Sequence, residues 1–264
     1  MTPTRVRLDA ELVRRGLARS REQAGELVAA GLVAVAGRRA SKPATQVARD
    51  APITVTGTDD PAYVSRGGHK LAGALEAFSD LQVAGRNALD AGASTGGFTE
   101  VLLRAGAAHV VAADVGYGQL AWSLRTDARV TVMDRVNVRA LGPVTPVPDV
   151  VVADLSFISL TLVLPALVSV ADPEADFVLL VKPQFEVGKG RVGAGGVVRD
   201  TTDRSASIEK VAGAAAELGL GVRGITASPL PGPAGNVEYF LWLRRGAPPL
   251  DQEQLRRAIE EGPL

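Results

Sequence analysis

The chain of 264 residues contains no cysteine and only two histidines, His69 and His109. Without cysteine there is no disulfide framework, no thiolate metal ligand and no thiol nucleophile. A histidine-based zinc site is not expected, because two histidines are too few to supply its usual ligands. We therefore name no metal ligands, although a role for Mg²⁺ held by carboxylates stays open, and no catalysis can rely on a thiol.

Long apolar runs are missing as well. No segment reaches the roughly 18–20 consecutive apolar residues that a membrane span needs. The first nine residues carry Arg5, Arg7 and Asp9 rather than the apolar core of a secretory signal. We expect a soluble cytoplasmic protein without a membrane partner. Its length suffices for one full-sized α/β domain and a small second module.

The net charge of zero hides an uneven distribution. Residues 1–49 hold ten Lys or Arg and four Asp or Glu, a surplus of six, so the rest of the chain carries a deficit of six. A basic module on a mildly acidic body is typical of a protein that holds a polyanion by one end. Charge alone leaves an ordinary solvated helix surface equally open.

Residues 1–56 have the pattern of a small α+β domain. Leu8 and Leu12 recur at helical spacing within 7–17, and Ser20 with Gln23 has the capping-box pattern that starts a second helix. A strand-like stretch follows at 33–35, then a turn at 37–39 and a second strand-like stretch at 53–55. The predicted order is helix, helix and a small sheet.

The run Arg-Leu-Asp-x-x-Leu-x-x-x-Gly-Leu-Ala-x-Ser-Arg, which starts at Arg7, resembles a small RNA-binding fold shared by a ribosomal protein and pseudouridine synthases. This resemblance implies RNA binding through phosphates, to which a guanidinium fork can donate two parallel hydrogen bonds. A DNA-reading helix-turn-helix is the weaker alternative, because such modules usually act as symmetric dimers. The predicted RNA contacts of this domain are Arg7, Arg14, Arg19, Arg21, Arg38, Arg39 and Lys42.

After a predicted linker at 57–64, residues 65–264 are predicted to form a second domain. Helix and strand patterns alternate from residue 66, which indicates an α/β fold with a doubly wound, Rossmann-like parallel sheet. The last predicted element, at 250–259, has the pattern of a short amphipathic helix that packs on this domain.

A glycine-rich turn is the most informative motif of the second domain. An apolar strand ends at Asp90, and Ala-Gly-Ala-Ser-Thr-Gly-Gly-Phe-Thr then leads into a helix. Such a turn brings bare backbone against a ligand at the carboxyl edge of a parallel sheet. The spacing Asp-x-Gly-x-x-x-Gly-Gly resembles the first motif of S-adenosylmethionine-dependent methyltransferases.

Two later strands end in acids that suit the same ligand. Asp114 follows the turn by about 20 residues, a position that commonly receives ribose hydroxyls. Asp134 ends the next strand, where it could meet an adenine amino group or simply cap a helix. The predicted cofactor contacts are Asp90, Gly92, Ser94, Gly96, Gly97, Phe98, Thr99, Asp114 and Asp134.

Asp154 and Lys182 follow two further strands, so they are expected at the same edge of the sheet. Side chains that other methyltransferases need are absent, and this limits which atom can accept the methyl group. Methylation of pyrimidine carbon 5 needs a cysteine nucleophile, and methylation of base amino groups usually uses Asn or Asp before Pro-Pro-aromatic, which Asp154-Leu-Ser-Phe does not match. An oxygen such as a ribose 2′-hydroxyl is left, and Lys182 beside a carboxylate is the candidate group to take its proton.

The glycine-rich segment 187–199 contains Lys189 and Arg191 and lies next to Lys182 in sequence. We predict a flap whose two cations contact RNA phosphates, with a plain surface loop as the open alternative.

Several motifs together resemble the TlyA family. They are Ser65-Arg-Gly-Gly-His-Lys-Leu, the glycine turn, Asp154-Leu-Ser-Phe-Ile-Ser-Leu, Val181-Lys-Pro-Gln-Phe-Glu and Gly235-Asn-Val-Glu-Tyr. Members of this family, historically labelled haemolysins, are ribosomal RNA 2′-O-methyltransferases with an FtsJ-like catalytic domain. The resemblance implies S-adenosylmethionine as cofactor and cytidine of ribosomal RNA, within ribosomal subunits, as target. It also implies a catalytic tetrad at Lys70, Asp154, Lys182 and Glu238.

Two other functions stay open on the sequence, namely a membrane-active haemolysin and a ribosome-assembly protein that binds RNA without catalysis. A strongly amphipathic basic helix, which a membrane-active protein would use, is not evident. A lysine among several acids at one sheet edge has no use in a protein that only binds RNA. We expect the free protein to be a monomer.

Overall fold

The structure, a computed structural model, describes residues 5–15, 17–18, 20–49, 51–55 and 63–262, without the side chain of Lys189. The predicted RNA contact Arg19 and most of the predicted linker lie outside the described residues. The chain divides into two compact units, Met1–Pro61 and Ala62–Leu264. The domain limits expected from the sequence, at 56 and 65, stay a prediction.

The amino-terminal unit combines two helices with two small antiparallel sheets. β1 pairs with β4, and β2 lies between β3 and β5. The helix α1 ends at Arg14, within the predicted range of 7–17, and β1 and β4 were not predicted. The elements are β1 (Arg5–Arg7), α1 (Leu8–Arg14), α2 (Arg21–Ala29), β2 (Val33–Val35), β3 (Arg38–Arg39), β4 (Gln46–Ala48) and β5 (Ile53–Val55).

Both helices bury one apolar face in a common core. Leu8 and Leu12 of α1 pack with Ala24 and Val28 of α2, and all four are buried. The start of α2 is confirmed, because the Ser20 hydroxyl accepts a hydrogen bond from the backbone nitrogen of Gln23 at 3.1 Å. Such a cap contributes about 1 kcal/mol to helix stability.

The second unit is built on a seven-stranded sheet of order β11-β12-β10-β9-β6-β7-β8. The five strands predicted from the sequence, β6 to β10, run parallel. The strands are β6 (Asn87–Ala91), β7 (His109–Asp114), β8 (Val130–Asp134), β9 (Val150–Ala153), β10 (Asp176–Val181), β11 (Leu220–Ala227) and β12 (Tyr239–Arg245).

The sheet also has two carboxyl-terminal strands that were not predicted from the sequence, and they run antiparallel. β12 pairs antiparallel with β10, and β11 pairs antiparallel with β12. Val181 lies opposite Tyr239 in this register. Because the next residue of β10 is Lys182 and the preceding residue of β12 is Glu238, the antiparallel strand brings these two residues to the same edge of the sheet.

Helices cover both faces of the sheet, as a doubly wound fold requires. Alternate strand residues enter different cores: Leu89 and Val151 pack with α6, α8 and α9, whereas Ala88 and Val150 pack with α3 and α4. The helices are α3 (Gly67–Ala77), α4 (Gly97–Arg104), α5 (Trp122–Arg125), α6 (Leu164–Val170), α7 (Pro183–Glu186), α8 (Thr201–Glu217) and α9 (Gln252–Glu260).

The last helix, α9, matches the predicted amphipathic element, with Leu255 and Ala258 buried against the unit. No helix within the described part of the chain is long and apolar enough to cross a membrane.

Candidate active site

The glycine turn between β6 and α4 approaches other backbone too closely for larger residues. A Cβ atom on Gly92, which has a φ of 90°, would lie 2.5 Å from the backbone oxygen of Asp154. A Cβ atom on Gly97 would lie 2.6 Å from the backbone nitrogen of Gly68. Neither neighbour can swing aside as a side chain could. The two glycines therefore let the turn pack closely on neighbouring backbone at the carboxyl edge of the sheet, the edge at which α/β folds bind nucleotides.

Asp90 lies fully buried below this turn. Its Oδ2 accepts a hydrogen bond from the Thr99 hydroxyl at 2.7 Å, and its Oδ1 has no hydrogen-bond partner among the described residues. Burial raises the pKa of Asp90 to about 7, and the nearby carboxylates of Asp154 and Asp114 add to this rise. A buried carboxyl oxygen without a partner is the group that a cationic or hydrogen-donating ligand would satisfy.

Asp114 fixes the shape of the turn from the end of β7. Its Oδ2 accepts the backbone N–H of Ser94 at 2.8 Å, and its Oδ1 accepts that of Gly116 at 2.6 Å. Ser94 has a φ of 46°, which is unusual for a residue other than glycine. Each carboxylate oxygen can accept a further bond, so the predicted contact of Asp114 with ribose hydroxyls is compatible with these bonds.

The other predicted cofactor contacts have partners within the protein. Asp134 accepts bonds from Arg125 at 2.7 Å and from the backbone of Gly118 at 3.3 Å, and the pairing with Arg125 lowers its pKa. Phe98 is buried, with its ring centroid 6.0 Å from that of Phe240. Contacts of these side chains with a cofactor stay predictions.

Lys182 and Asp154 form the first ion pair of the site. The Nζ of Lys182 lies 2.5 Å from Oδ1 of Asp154 and donates a hydrogen bond to the Ser156 hydroxyl at 3.0 Å. The Lys182 side chain is 9% exposed and that of Asp154 is 23% exposed, so the pair is open to solvent mainly on the aspartate side. The predicted meeting of these two strand ends is present.

Lys70 and Glu238 form a second ion pair, which is more deeply buried. The Nζ of Lys70 lies 2.5 Å from Oε2 of Glu238, and their side chains are 5% and 1% exposed. The side-chain amide of Gln184 donates to Oε1 of Glu238 at 3.4 Å. Since Gln184 is two residues from Lys182, the two ion pairs are linked through the segment after β10.

Glu186, at the end of α7, tethers the loop that carries Asp154. This buried carboxylate accepts hydrogen bonds from the Ser159 hydroxyl at 2.5 Å and the Leu160 backbone at 2.7 Å. Lys210 of α8 donates to it at 3.4 Å. The loop from Asp154 to Leu160 is thus held at one end by Lys182 and at the other by Glu186.

Sequence reasoning missed Ser156, Gln184 and Glu186 as parts of the site. All three lie inside motifs that resemble the TlyA family, but their partners are 26 to 54 residues away. Between the two tethers of the loop, Phe157 has a φ of 64° and is 92% exposed. This backbone conformation is strained for an aromatic residue and is kept by its surroundings.

The predicted flap is fastened at its carboxyl end. The buried side chain of Asn236 accepts the backbone N–H of Val198 at 2.9 Å and donates to the backbone oxygen of Gly196 at 2.8 Å. Arg191 makes an exposed ion pair with Asp203 at 3.2 Å. RNA contacts by Lys189 and Arg191 stay predictions.

In the amino-terminal unit, three of the predicted RNA contacts are ion-paired with buried acids. Arg7 and Arg21 both bond Asp9, and Arg14 bonds Glu11. The bond from Arg7 holds the pKa of Asp9 well below its usual range, and Arg14 with Arg15 lowers that of Glu11 to about 2. The remaining described members of the set, Arg38, Arg39 and Lys42, are exposed.

Two families match this chain. The FtsJ-like methyltransferase family matches residues 63–245, and the S4 domain matches residues 6–53. The 16S/23S rRNA (cytidine-2′-O)-methyltransferase TlyA of Mycobacterium tuberculosis is 62% identical over 267 residues, which cover 98% of this chain and 99% of that protein.

Two further proteins are similar over nearly their whole length. YqxC of Bacillus subtilis, provisionally named an rRNA methyltransferase, is 42% identical over 99% of this chain and 95% of its own. The solved structure of a Streptococcus thermophilus protein, provisionally named a hemolysin, has a TM-score of 0.77 and 39% identity, and the match covers 99% of this chain and 98% of that one.

Proposed function

Since the chain belongs to the FtsJ-like methyltransferase family and, within it, to the TlyA family, we propose that it methylates the ribose 2′-hydroxyl of cytidine in ribosomal RNA. The observation that carries this proposal is the Lys182–Asp154 ion pair, 2.5 Å long, at the edge of the sheet that also holds the glycine turn. S-Adenosylmethionine, the cofactor, supplies an electrophilic methyl group on a sulfonium.

The target oxygen needs help because a ribose hydroxyl is a weak nucleophile at neutral pH. Its proton has to leave while the oxygen–methyl bond forms. Lys182, once its ammonium group has released a proton to solvent, accepts the hydroxyl proton on the freed lone pair, and Asp154 with Ser156 keeps the lysine side chain in place. A catalytic group fixed in this way supports the reaction through position as well as through proton transfer.

The second ion pair is assigned to holding the ribose. Lys70 and Glu238 are both buried and bonded to each other, so their side chains keep one geometry without substrate. This pair is linked to the segment after Lys182 through Gln184, and from there a rigid donor and acceptor can align the 2′-oxygen with the methyl group. Such alignment of two reactants accounts for several kcal/mol, roughly, of many enzymatic rate enhancements.

Ribosomal RNA as the partner is supported by the amino-terminal unit. It matches the S4 domain and carries the basic surplus of the chain, and the similar protein of M. tuberculosis is named for 16S and 23S rRNA. Basic surfaces of this kind bind RNA mainly through its phosphates.

The test is transfer of tritium from labelled S-adenosylmethionine to purified ribosomal subunits, followed by nuclease mapping of the product. We expect label on a cytidine ribose with the wild type. Lys182→Ala should lower the rate about 100-fold or more with cofactor affinity largely intact. Arg256→Ala, which removes an exposed cation on α9, is the control and should act as the wild type.

Two results would contradict the proposal. Label on a base rather than a ribose would overturn the acceptor atom. Full activity of Lys182→Ala would overturn the role of the ion pair.

A further inference from the structure

Asp9 joins two arginines of different elements in the amino-terminal unit. Its Oδ1 accepts Nε of Arg7 at 3.0 Å, and its Oδ2 accepts one Nη of Arg7 at 2.7 Å and one Nη of Arg21 at 3.1 Å. Arg7 lies at the end of β1 and Arg21 is the first residue of α2. One carboxylate therefore fixes the distance between two guanidinium groups.

The acid itself is hidden, whereas the arginines are not. Asp9 is 4% exposed and also accepts the backbone N–H of Ala10 at 2.8 Å. The side chains of Arg7 and Arg21 are 45% and 59% exposed. A guanidinium group has five N–H donors, and Arg7 gives two of them to Asp9, so other donors of the same group are left for an outside acceptor.

Two arginines held in this way suit a pair of RNA phosphates. A free arginine loses the freedom of several rotatable bonds when it binds, and this loss opposes binding. In this unit, the hydrogen bonds to Asp9 have already restricted both side chains. The guanidinium plane also keeps the fork geometry that phosphate oxygens accept.

We propose that Asp9 is a positioning residue for RNA binding, which sets Arg7 and Arg21 as a rigid two-guanidinium clamp for phosphates. The inference rests on the proposed function, in which this unit binds ribosomal RNA. It has an unusual consequence, because Asp9 is an anion within a surface that binds a polyanion. Simple charge counting predicts tighter binding without Asp9, and the clamp predicts weaker binding.

Whether RNA affinity rises or falls without Asp9 therefore decides between charge counting and the clamp. Asp9→Asn and the control Glu22→Gln each remove one negative charge from the same unit, but Glu22 is exposed. We would measure the dissociation constant for 23S rRNA transcribed in vitro by filter binding at several KCl concentrations. Glu22→Gln should bind as tightly as the wild type or slightly more tightly. Asp9→Asn should bind at least about fivefold more weakly.

Equal or tighter binding by Asp9→Asn would overturn the proposal. If circular dichroism shows that Asp9→Asn does not fold, Arg7→Lys and Arg21→Lys test the clamp instead. Both variants keep the positive charge but lose the paired N–H donors of the guanidinium group. Each should raise KM for ribosomal subunits with kcat unchanged, and wild-type KM in both would refute the clamp. If the wild type itself does not bind rRNA, the proposed function fails. The clamp fails separately, when the wild type binds rRNA and the variants bind it equally well.

Discussion

The Nζ of Lys182 lies 2.5 Å from Oδ1 of Asp154, and the same nitrogen donates to the Ser156 hydroxyl. The two residues come from the ends of β10 and β9, which are neighbours in the sheet. The nitrogen has a third position that neither partner occupies, an N–H donor in the ammonium and the lone pair in the neutral amine. The two partners from the Asp154 loop therefore fix the direction of that third position, at which the substrate hydroxyl is proposed to bind.

We expect Asp154→Asn to lower kcat by roughly 10²- to 10⁴-fold. The amide keeps the shape of the carboxylate but removes the charge that holds Lys182. Affinity for S-adenosylmethionine should change little, because it is the backbone oxygen of Asp154 that approaches the glycine turn. Single-turnover methylation of ribosomal subunits and calorimetric titration of the cofactor would measure the two effects. Asp127→Asn, at an exposed ion pair with Arg129, is the matched control, and a wild-type kcat in Asp154→Asn would contradict the assignment.

The buried pair of Lys70 and Glu238 predicts that stability and activity respond differently to mutation. Lys70→Met leaves the Glu238 carboxylate buried without its cation, which should cost about 3–5 kcal/mol and lower Tm. The double variant Lys70→Met/Glu238→Gln leaves no uncompensated charge, so most of the lost Tm should return. Methyltransferase activity should be absent in both the single and the double variant, because neither keeps the ion pair. A double variant as unstable as the single one, or an active one, would show that the pair does not act in this way.

The sequence could predict the Lys182–Asp154 meeting because parallel strands end at the same edge of a sheet. It could not place Glu238 by the same reasoning, since this residue precedes the antiparallel strand β12, whose position between β10 and β11 is not a matter of periodicity. The resemblance of Gly235-Asn-Val-Glu-Tyr to a family motif was the sole basis for naming it. Strand order depends on long-range packing, so the hydrophobic pattern within one strand does not predict its neighbours in the sheet.

The ion pairs of the basic residues in the amino-terminal unit could be predicted from the sequence only in part. Glu11 precedes Arg14 by three residues and Arg15 by four, a helical spacing at which opposite charges meet. Arg14 was predicted to contact RNA, although Glu11 lies at this spacing from it. The bond between Asp9 and Arg21 crosses from α1 to α2, and no spacing rule predicts it.

The buried carboxyl of Asp90 predicts a defined dependence of stability on pH. Its pKa is raised by burial to about 7 in the folded protein, whereas an unfolded aspartate has a pKa of about 3.9. Between these values the unfolded chain releases the proton and the folded chain keeps it. Stability from this group is therefore full below about pH 4, falls as pH rises toward 7 and is constant above that.

Asp90→Asn does not titrate and should lack this component. The difference in Tm between the variant and the wild type should grow in favour of the variant from pH 5 to pH 7 and then level off. Thermal denaturation at pH 5, 6, 7 and 8 would measure it. A difference that does not vary with pH would mean that Asp90 is ionised in the fold throughout this range.

The tether at Glu186 predicts a loss of rate without a loss of binding. Glu186→Gln keeps the size of the side chain but removes the charge that the Ser159 hydroxyl and Lys210 contact. The loop then has its firm hold at Asp154 alone, and the strained backbone at Phe157 can relax. Because a misplacement of about 1 Å in a catalytic group can cost roughly 100-fold in rate, we expect kcat to fall about tenfold or more, with KM for subunits within about twofold.

The matched control is Glu174→Gln, which removes an exposed carboxylate 72% accessible to solvent and should leave kcat unchanged. Tm of Glu186→Gln must also be measured, and assays kept well below it, so that unfolding does not imitate a catalytic defect. A purely structural Glu186 would lower Tm and leave kcat of the folded enzyme as in the wild type. A lower kcat at full folding would instead mean that Glu186 acts on Asp154 through the loop.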